Sequence, residues 1–257
     1  MIELKDVFYS YRGRKALCGV SLEIEEGGHL ALVGPNASGK STLALMMNAQ
    51  LLPDNGDCVV DGMSTKEAPQ HARRSVGMVF QNPDDQIVSR KVWDDVAFGP
   101  RNLGLPDAEV RRRVESALLS VGLMRCADRR SHTLSGGQKQ LLAIAGALAM
   151  EPAYVVLDEP TALLDGIGAK AVRDAVLGLK RLGKGIIWIT HDMEEAMAAD
   201  TVAVLKEGRI LASMPPDELF GNAGIMAEAR LEMPYSWRLK KSLEKMHAQE
   251  AVNGLWP

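Results

Sequence analysis

The first residues equipped for chemistry are Gly34-Pro35-Asn36-Ala37-Ser38-Gly39-Lys40-Ser41-Thr42, which follow an apolar segment, Leu30 to Val33, and open a helical pattern. Glycines at this spacing let the backbone curl until successive N–H groups point at phosphate oxygens, and the positive end of the following helix adds to the attraction. Lys40 brings a mobile positive charge to the outer phosphates, and the Ser41 hydroxyl suits one position on Mg²⁺. The run therefore predicts a nucleoside-triphosphate protein. A second element, Ala153-Tyr154-Val155-Val156-Leu157-Asp158-Glu159-Pro160, is an apolar strand that ends in two carboxylates. Downstream of a phosphate loop, Asp158 is placed to stabilise the Mg²⁺ shell opposite Ser41, and Glu159 to polarise a water beside the terminal phosphate. A third, Leu134-Ser135-Gly136-Gly137-Gln138, opens a long helical pattern. Its small residues leave Ser135 and the Gly137 N–H free to meet an anion at the helix start.

These groups need a scaffold, and 257 residues suffice for one large α/β domain or two small lobes. Ile2 to Tyr11 and Val20 to Ile24 alternate with period two and read as strands, with Gly27-Gly28 turning into the strand before the phosphate loop. Ala153 to Leu157 and Gly185 to Thr190 are short, continuous and rich in β-branched residues, as expected of strands covered on both faces. They are expected to flank the phosphate-loop strand in one parallel sheet. Between Pro83 and Met150 the pattern turns helical. Val110, Val114, Ala117, Leu118 and Val121 form one apolar face, with Arg111, Arg112 and Arg113 on solvated positions beside it. A helical lobe is thus inserted between two parts of a sheet domain. Leu45, Met46 and Met47 read as core, and Leu231 to Gln249 as a closing helical extension.

The formal charge of −3 gives no overall pull toward nucleic acid. Cys18, Cys58 and Cys126 lie far apart without metal-ligand spacing and read as reduced thiols. His29, His71, His132 and His247 form no ligand-like group and read as surface or structural. Met1 to Asp6 lacks the basic start and apolar stretch of a secretory signal, which predicts a cytoplasmic chain. Apolar runs such as Leu141 to Met150 fall short of the roughly 20 residues that cross a bilayer, so membrane association is expected only through a partner.

With the third element in place, the chain resembles the ATP-binding-cassette ATPases from Ile2 to about Phe220. The resemblance implies an α/β P-loop NTPase cassette with ATP and Mg²⁺ as cofactors. Its mixed-sheet core would span 1–82 and 152–220, with an N-terminal antiparallel β subdomain, a helical subdomain at about 83–151, and an extension at 221–257 that contacts a dimer partner. It further implies that two cassettes, identical or sister chains, face head to tail. ATP on Gly34 to Thr42 of one would be closed over by Ser135, Gly136, Gly137 and Gln138 of the other. By the same resemblance Gln81 is the Mg²⁺- and water-sensing glutamine, and His191 the switch histidine at the terminal phosphate. Asp165 belongs to the loop that couples the two sites, and Tyr11 is the aromatic on adenine, with Tyr9 and Phe8 close enough to compete for that place.

A subgroup is suggested by Phe80-Gln81-Asn82-Pro83-Asp84-Asp85-Gln86-Ile87-Val88, by Asp94 to Gly99, by Gln138-Lys139-Gln140 running into Ala143 to Gly146, and by Pro216 to Phe220. These stretches are similar to the ATPases of energy-coupling-factor transporters, which take up vitamins or cobalt and nickel ions. That similarity implies peripheral attachment at the cytoplasmic face of the membrane, with Gln86 to Phe98 docking an integral membrane partner. An ordinary importer or exporter cassette, or a soluble assembly factor, would share the ATP motifs. Leu141, Gly166 and Ala169 depart from the family's usual Arg, Pro and basic residue at those places.

Overall fold

The computed structural model describes the backbone of residues 1–252 and the side chains of 1–244. The first half runs β1 (Ile2–Tyr11), β2 (Arg14–Ile24), β3 (His29–Val33), α1 (Lys40–Met47), β4 (Asn55–Val60), β5 (Met63–Ser64), α2 (Pro69–Ser75) and β6 (Val76–Val79). Three helices follow: α3 (Val92–Asn102), α4 (Asp107–Ser120) and α5 (Gly136–Leu148). The chain then returns through β7 (Tyr154–Asp158), α6 (Gly166–Arg181), β8 (Gly185–Ile189), α7 (Met193–Ala196), β9 (Thr201–Lys206) and β10 (Arg209–Met214). It closes with α8 (Pro216–Gly221), α9 (Ala223–Ala229) and α10 (Tyr235–Val252).

The strands form a four-stranded antiparallel sheet, β2-β1-β4-β5, and a six-stranded sheet in the order β10-β9-β3-β8-β7-β6. In the larger sheet only β10 runs antiparallel, so the core sheet is mixed, as the resemblance implies. Every residue of β3 and β8 is buried, which explains their unbroken apolar sequences. One apolar cluster joins Val96, Val114, Leu118, Leu142 and Ile144 of the helical lobe to Val155, Leu157 and Trp188 of the sheet. A second holds α1 between the two sheets, with Met46 and Met47 fully buried. On the opposite face Phe220, Met226, Ala229 and Trp237 pack with Val33, Val202 and Val204, so the C-terminal helices cover the sheet.

Three sequence expectations change. The second strand begins at Arg14 rather than Val20, because the pair Arg14-Lys15 and the left-handed Gly19 (φ +81°) hide its alternation. Strand β8 does flank β3, but its other neighbour is β9, and β7 lies one place further out against β8. Strands β4, β5, β6, β9 and β10 are absent from the sequence reading. The extension forms α9 and α10, with a break at Arg230 (φ +54°) and Pro234 between them. Residues 253–257 and the His247 side chain lie outside the described part. All three cysteines are free, and no helix among the described residues is long and apolar enough to cross a membrane.

His29 is fully interior. It is 1% exposed and stacks on Trp188 at 6.1 Å between ring centroids. Burial, aided by the Lys180 charge, lowers its pKa from 6.5 to about 4, against the opposing pull of Asp200. Between those values the unfolded chain takes up a proton that the folded chain refuses, so stability falls as pH drops through this window. The loss from pH 7 to pH 5 is about 2 kcal/mol. Urea midpoints at the two pH values should therefore differ less in His29→Leu than in the parent; an undiminished difference would remove His29 as the cause.

Candidate functional site

The phosphate loop leaves β3 through a curl that only glycine can make at two points. Gly34 has φ +144°, and a Cβ there would sit 2.0 Å from the Leu205 carbonyl; at Gly39 (φ +108°) it would lie 2.6 Å from the Ala16 carbonyl. Lys40 starts α1, is 5% exposed, and donates to the carbonyls of Gly34 and Pro35 at 2.9 Å each. Burial lowers its pKa, while the carboxylates of Glu159 and Asp158 pull it back up. Ser38 closes the curl, its N–H donating to the Pro35 carbonyl at 3.3 Å and its carbonyl accepting from Gly208 N–H at 3.0 Å.

Across the loop, β7 delivers Asp158 and Glu159. Burial pushes the Asp158 carboxyl above its ordinary range and the neighbouring Glu159 charge adds to this, while a hydrogen bond from Ser41 and the Lys40 charge oppose it. Ser41 and Asp158 thus lie within hydrogen-bonding reach of each other. Glu159 has left-handed backbone (φ +49°), rare for a residue with a side chain, and its N–H is held by the Ile189 carbonyl at 3.0 Å. The turn aims its carboxylate between two neighbours. Gln81 Nε2 donates to Oε2 at 3.1 Å, and His191 Nε2 lies 2.5 Å from Oε1. Gln81, Glu159 and His191 come from three different strand ends, so only the sheet order could bring them together.

A cleft of about 640 Å³ holds Tyr11, Asn36, Ala37, Gly39, Lys40, Ser41, Thr42, Gln81 and Glu159. Tyr11 is 45% exposed at its rim and packs edge-on against Tyr9, with ring centroids 4.8 Å apart, so Tyr11 is the aromatic that offers a face to the cleft. Ser135, Gly136, Gly137, Gln138 and Asp165 line a separate groove of about 560 Å³ that shares no residue with this cleft. There Ser135 and Gln138 form a reciprocal cap. Gln138 N–H donates to Ser135 Oγ at 3.3 Å and Ser135 N–H to Gln138 Oε1 at 3.1 Å, which leaves the Ser135 O–H free to donate outward. Asp165 Oδ1 accepts from Gly168 N–H at 2.7 Å and so caps α6. A Cβ on Gly137 would lie 2.7 Å from Gly168 Cα, so the starts of α5 and α6 touch backbone to backbone.

The family described as ABC transporter matches residues 17–162. An energy-coupling factor transporter ATP-binding protein EcfA1 from Symbiobacterium thermophilum is 51% identical over 92% of this chain and 82% of its own length. The chain belongs to the ABC transporter family. It is an ATP-binding cassette, an ATPase that couples ATP hydrolysis to transport. Among solved structures, cbiO1 from Clostridium perfringens, described as part of the ABC transporter complex cbiONQ, superposes with TM-score 0.80 at 36% identity, covering 93% of this chain and 98% of that one. The ATP-binding cassette MJ0796, solved as a dimer in a post-hydrolysis state with ADP and Pi, superposes with TM-score 0.74 at 29% identity, covering 84% of this chain and 99% of its own.

Within this ABC cassette, the segment Gln86 to Phe98 is only partly a surface. Val88 and Phe98 are exposed, at 62% and 48%, and border a groove of about 320 Å³ with Ala143, Gly146 and Met150. Ile87 instead packs on the helical core, and Gln86 bonds Phe80 N–H and the Met78 carbonyl. Asp95 is buried and accepts from the N–H groups of Val88 and Ser89 at 2.8 and 2.7 Å, bracing the loop. The sequence reading missed Arg14 and Lys15, two cations that line the phosphate-loop cleft, because they lie in the strand it began six residues too late. It also missed how α5 grips the chain on both sides of Gln81. Lys139 Nζ lies 2.7 Å from Asp84, and Gln140, fully buried, donates to the Phe80 carbonyl at 3.0 Å.

Proposed function

We propose that this cassette energises uptake of a metal ion or vitamin as a subunit of an energy-coupling-factor transporter, working in a facing pair at the cytoplasmic side of the membrane. The observation that carries the pairing is the separation of the two half-sites within one chain, one around Lys40 and one around Ser135 to Gln138. A second cassette, turned head to tail, would bring its own Ser135, Gly136, Gly137 and Gln138 over the terminal phosphate. The exposed Leu163 and Ile167 beside that groove, 65% and 84% accessible, suit burial by such a partner. The dimeric MJ0796 cassette and the names of EcfA1 and cbiO1 support the pairing and the transporter type.

In this reading Tyr11 stacks on the adenine and the loop from Gly34 to Thr42 wraps the phosphates. Lys40, with two N–H groups on loop carbonyls, turns its third toward the terminal phosphate. Mg²⁺ fits the donors present: the Ser41 hydroxyl, the Asp158 carboxylate beside it and the Gln81 side-chain oxygen supply few ligands. This suits an ion that keeps several waters and takes phosphate oxygens. Bound there, it would neutralise charge between the outer phosphates. Glu159 accepts a proton from the attacking water, Gln81 orients its carboxylate, and His191 passes from Glu159 to the terminal phosphate. Asp165, at the start of α6, links this site to the facing one.

Docking is expected at the groove beside Val88 and Phe98. Affinity capture of the tagged chain from detergent-extracted membranes should bring down a polytopic membrane protein. Val88→Asp with Phe98→Asp should lose it, while ATP binding by the isolated chain stays at the parent level. Capture unaffected by both changes would move the docking surface elsewhere, and the absence of any membrane protein with the parent would favour a soluble role.

A further inference from the structure

Glu195 is a carboxylate with no part in the chemistry described above, yet its side chain is 1% exposed in α7, four residues after His191. Its Oε2 accepts the hydroxyl proton of Thr190 at 2.6 Å, and the Thr190 oxygen in turn accepts from Asp192 N–H at 2.9 Å. On the two sides of His191, Thr190 is therefore held by the carboxylate directly and Asp192 through the Thr190 hydroxyl. The partner charge comes from a different element: Arg173 on α6 places NH1 3.4 Å from Glu195 Oε1. A carboxylate this deep is costly without a cation, and removal of the cation leaves a buried charge uncompensated. Asp165 caps the N-terminus of the same helix, two turns before Arg173.

We propose that Glu195, charge-balanced by Arg173, is the positioning residue for His191. The ion pair fixes the loop from which His191 reaches Glu159, and it ties that loop to the helix that begins at Asp165. The proposal rests on the reading of His191 as a contact to the terminal phosphate. Ala169 is buried one turn before Arg173, and both line a cavity of about 390 Å³ with Glu159, His191 and Glu195. Ala169 and Arg173, four residues apart, share one face of that helix. The cavity leaves room for a long side chain to return to the earlier position.

The test is steady-state hydrolysis with ATP affinity and thermal midpoint measured on the full chain. Arg173→Met should lower kcat about 10-fold and leave KM within about twofold of the parent, the pattern of a lost positioning contact. Ala169→Arg added to that variant should recover most of the loss by offering the cation from the earlier turn. In a His191→Ala background, Arg173→Met should cause no further drop, since its effect passes through His191. Should Arg173→Met fold poorly, Glu195→Gln retains the Thr190 bond without the charge and should make the further change Arg173→Met nearly silent. An unchanged kcat in Arg173→Met, or a full additional loss in the His191→Ala background, overturns the proposal. Glu159→Gln and His191→Ala run alongside keep the two readings apart. Parent-level turnover in either defeats the hydrolytic assignment, and in His191→Ala it defeats this proposal with it; low turnover in both with an additive Arg173 effect defeats this proposal alone.

Discussion

Glu159→Gln is expected to cut ATP turnover by about 100-fold or more while ATP remains bound, the loss typical of a removed general base. The substitution keeps the side-chain shape, and the new amide can still meet Gln81 and His191. The backbone turn at Glu159 (φ +49°) is held by the Ile189 carbonyl and does not depend on the carboxylate. Only the capacity to take a proton from water is lost. Hydrolysis is measured by phosphate release, and pairing by size-exclusion chromatography with and without ATP. The variant should run as an ATP-dependent dimer where the parent reverts to monomer as ATP is consumed. Turnover near the parent rate would place the base on another residue.

Lys40→Ala is expected to weaken ATP binding itself, by about 10- to 100-fold, the worth of one charge-assisted hydrogen bond to phosphate. The effect differs in kind from that of Glu159→Gln because Lys40 acts on the ground state as well as on the reaction. It also removes the donor to two loop carbonyls, Gly34 and Pro35, so some of the loss will come from a looser loop. Isothermal titration with a non-hydrolysable ATP analogue separates this from catalysis. A thermal midpoint close to the parent's would show that the fold survives. Undiminished affinity would contradict the role assigned to the loop.

The candidate site residues were legible because they are written in short runs. Gly34 to Thr42, Asp158-Glu159 and Ser135 to Gln138 each sit where a strand or loop enters or leaves a regular element, and their residue types are constrained by what they must touch. The strands on which they ride were legible where both faces are covered, as in β3, β7 and β8. Their order was not, since a run of apolar residues records burial and says nothing about which strand lies alongside. The strands β9 and β6 were missed although mostly buried, because their runs are only about four residues long and no chemical motif marks their ends. The supporting contacts were hidden by sequence distance. Lys139 and Asp84 are 55 residues apart, and Arg173 and Glu195 are 22 apart, so neither pair has a local pattern to read. His29 looked like any strand-end histidine until the C-terminal part of the sheet enclosed it.

Helix α5 has a consequence for timing. Its 13 residues, about 20 Å of helix, carry the Ser135–Gln138 cap at one end, while Ala143, Gly146 and Ala147 further along it form a wall of the groove beside Val88 and Phe98. Lys139 and Gln140 clamp Asp84 and Phe80, on either side of Gln81, to the same rod. Such a rod has no slack in which a signal could wait. In the proposed transporter, a push by the membrane partner at the groove and the arrival of the Ser135–Gln138 cap over a phosphate would be two ends of one stroke. Synchrony between fuel and cargo would then follow from stiffness alone, without a relay of separate conformational steps.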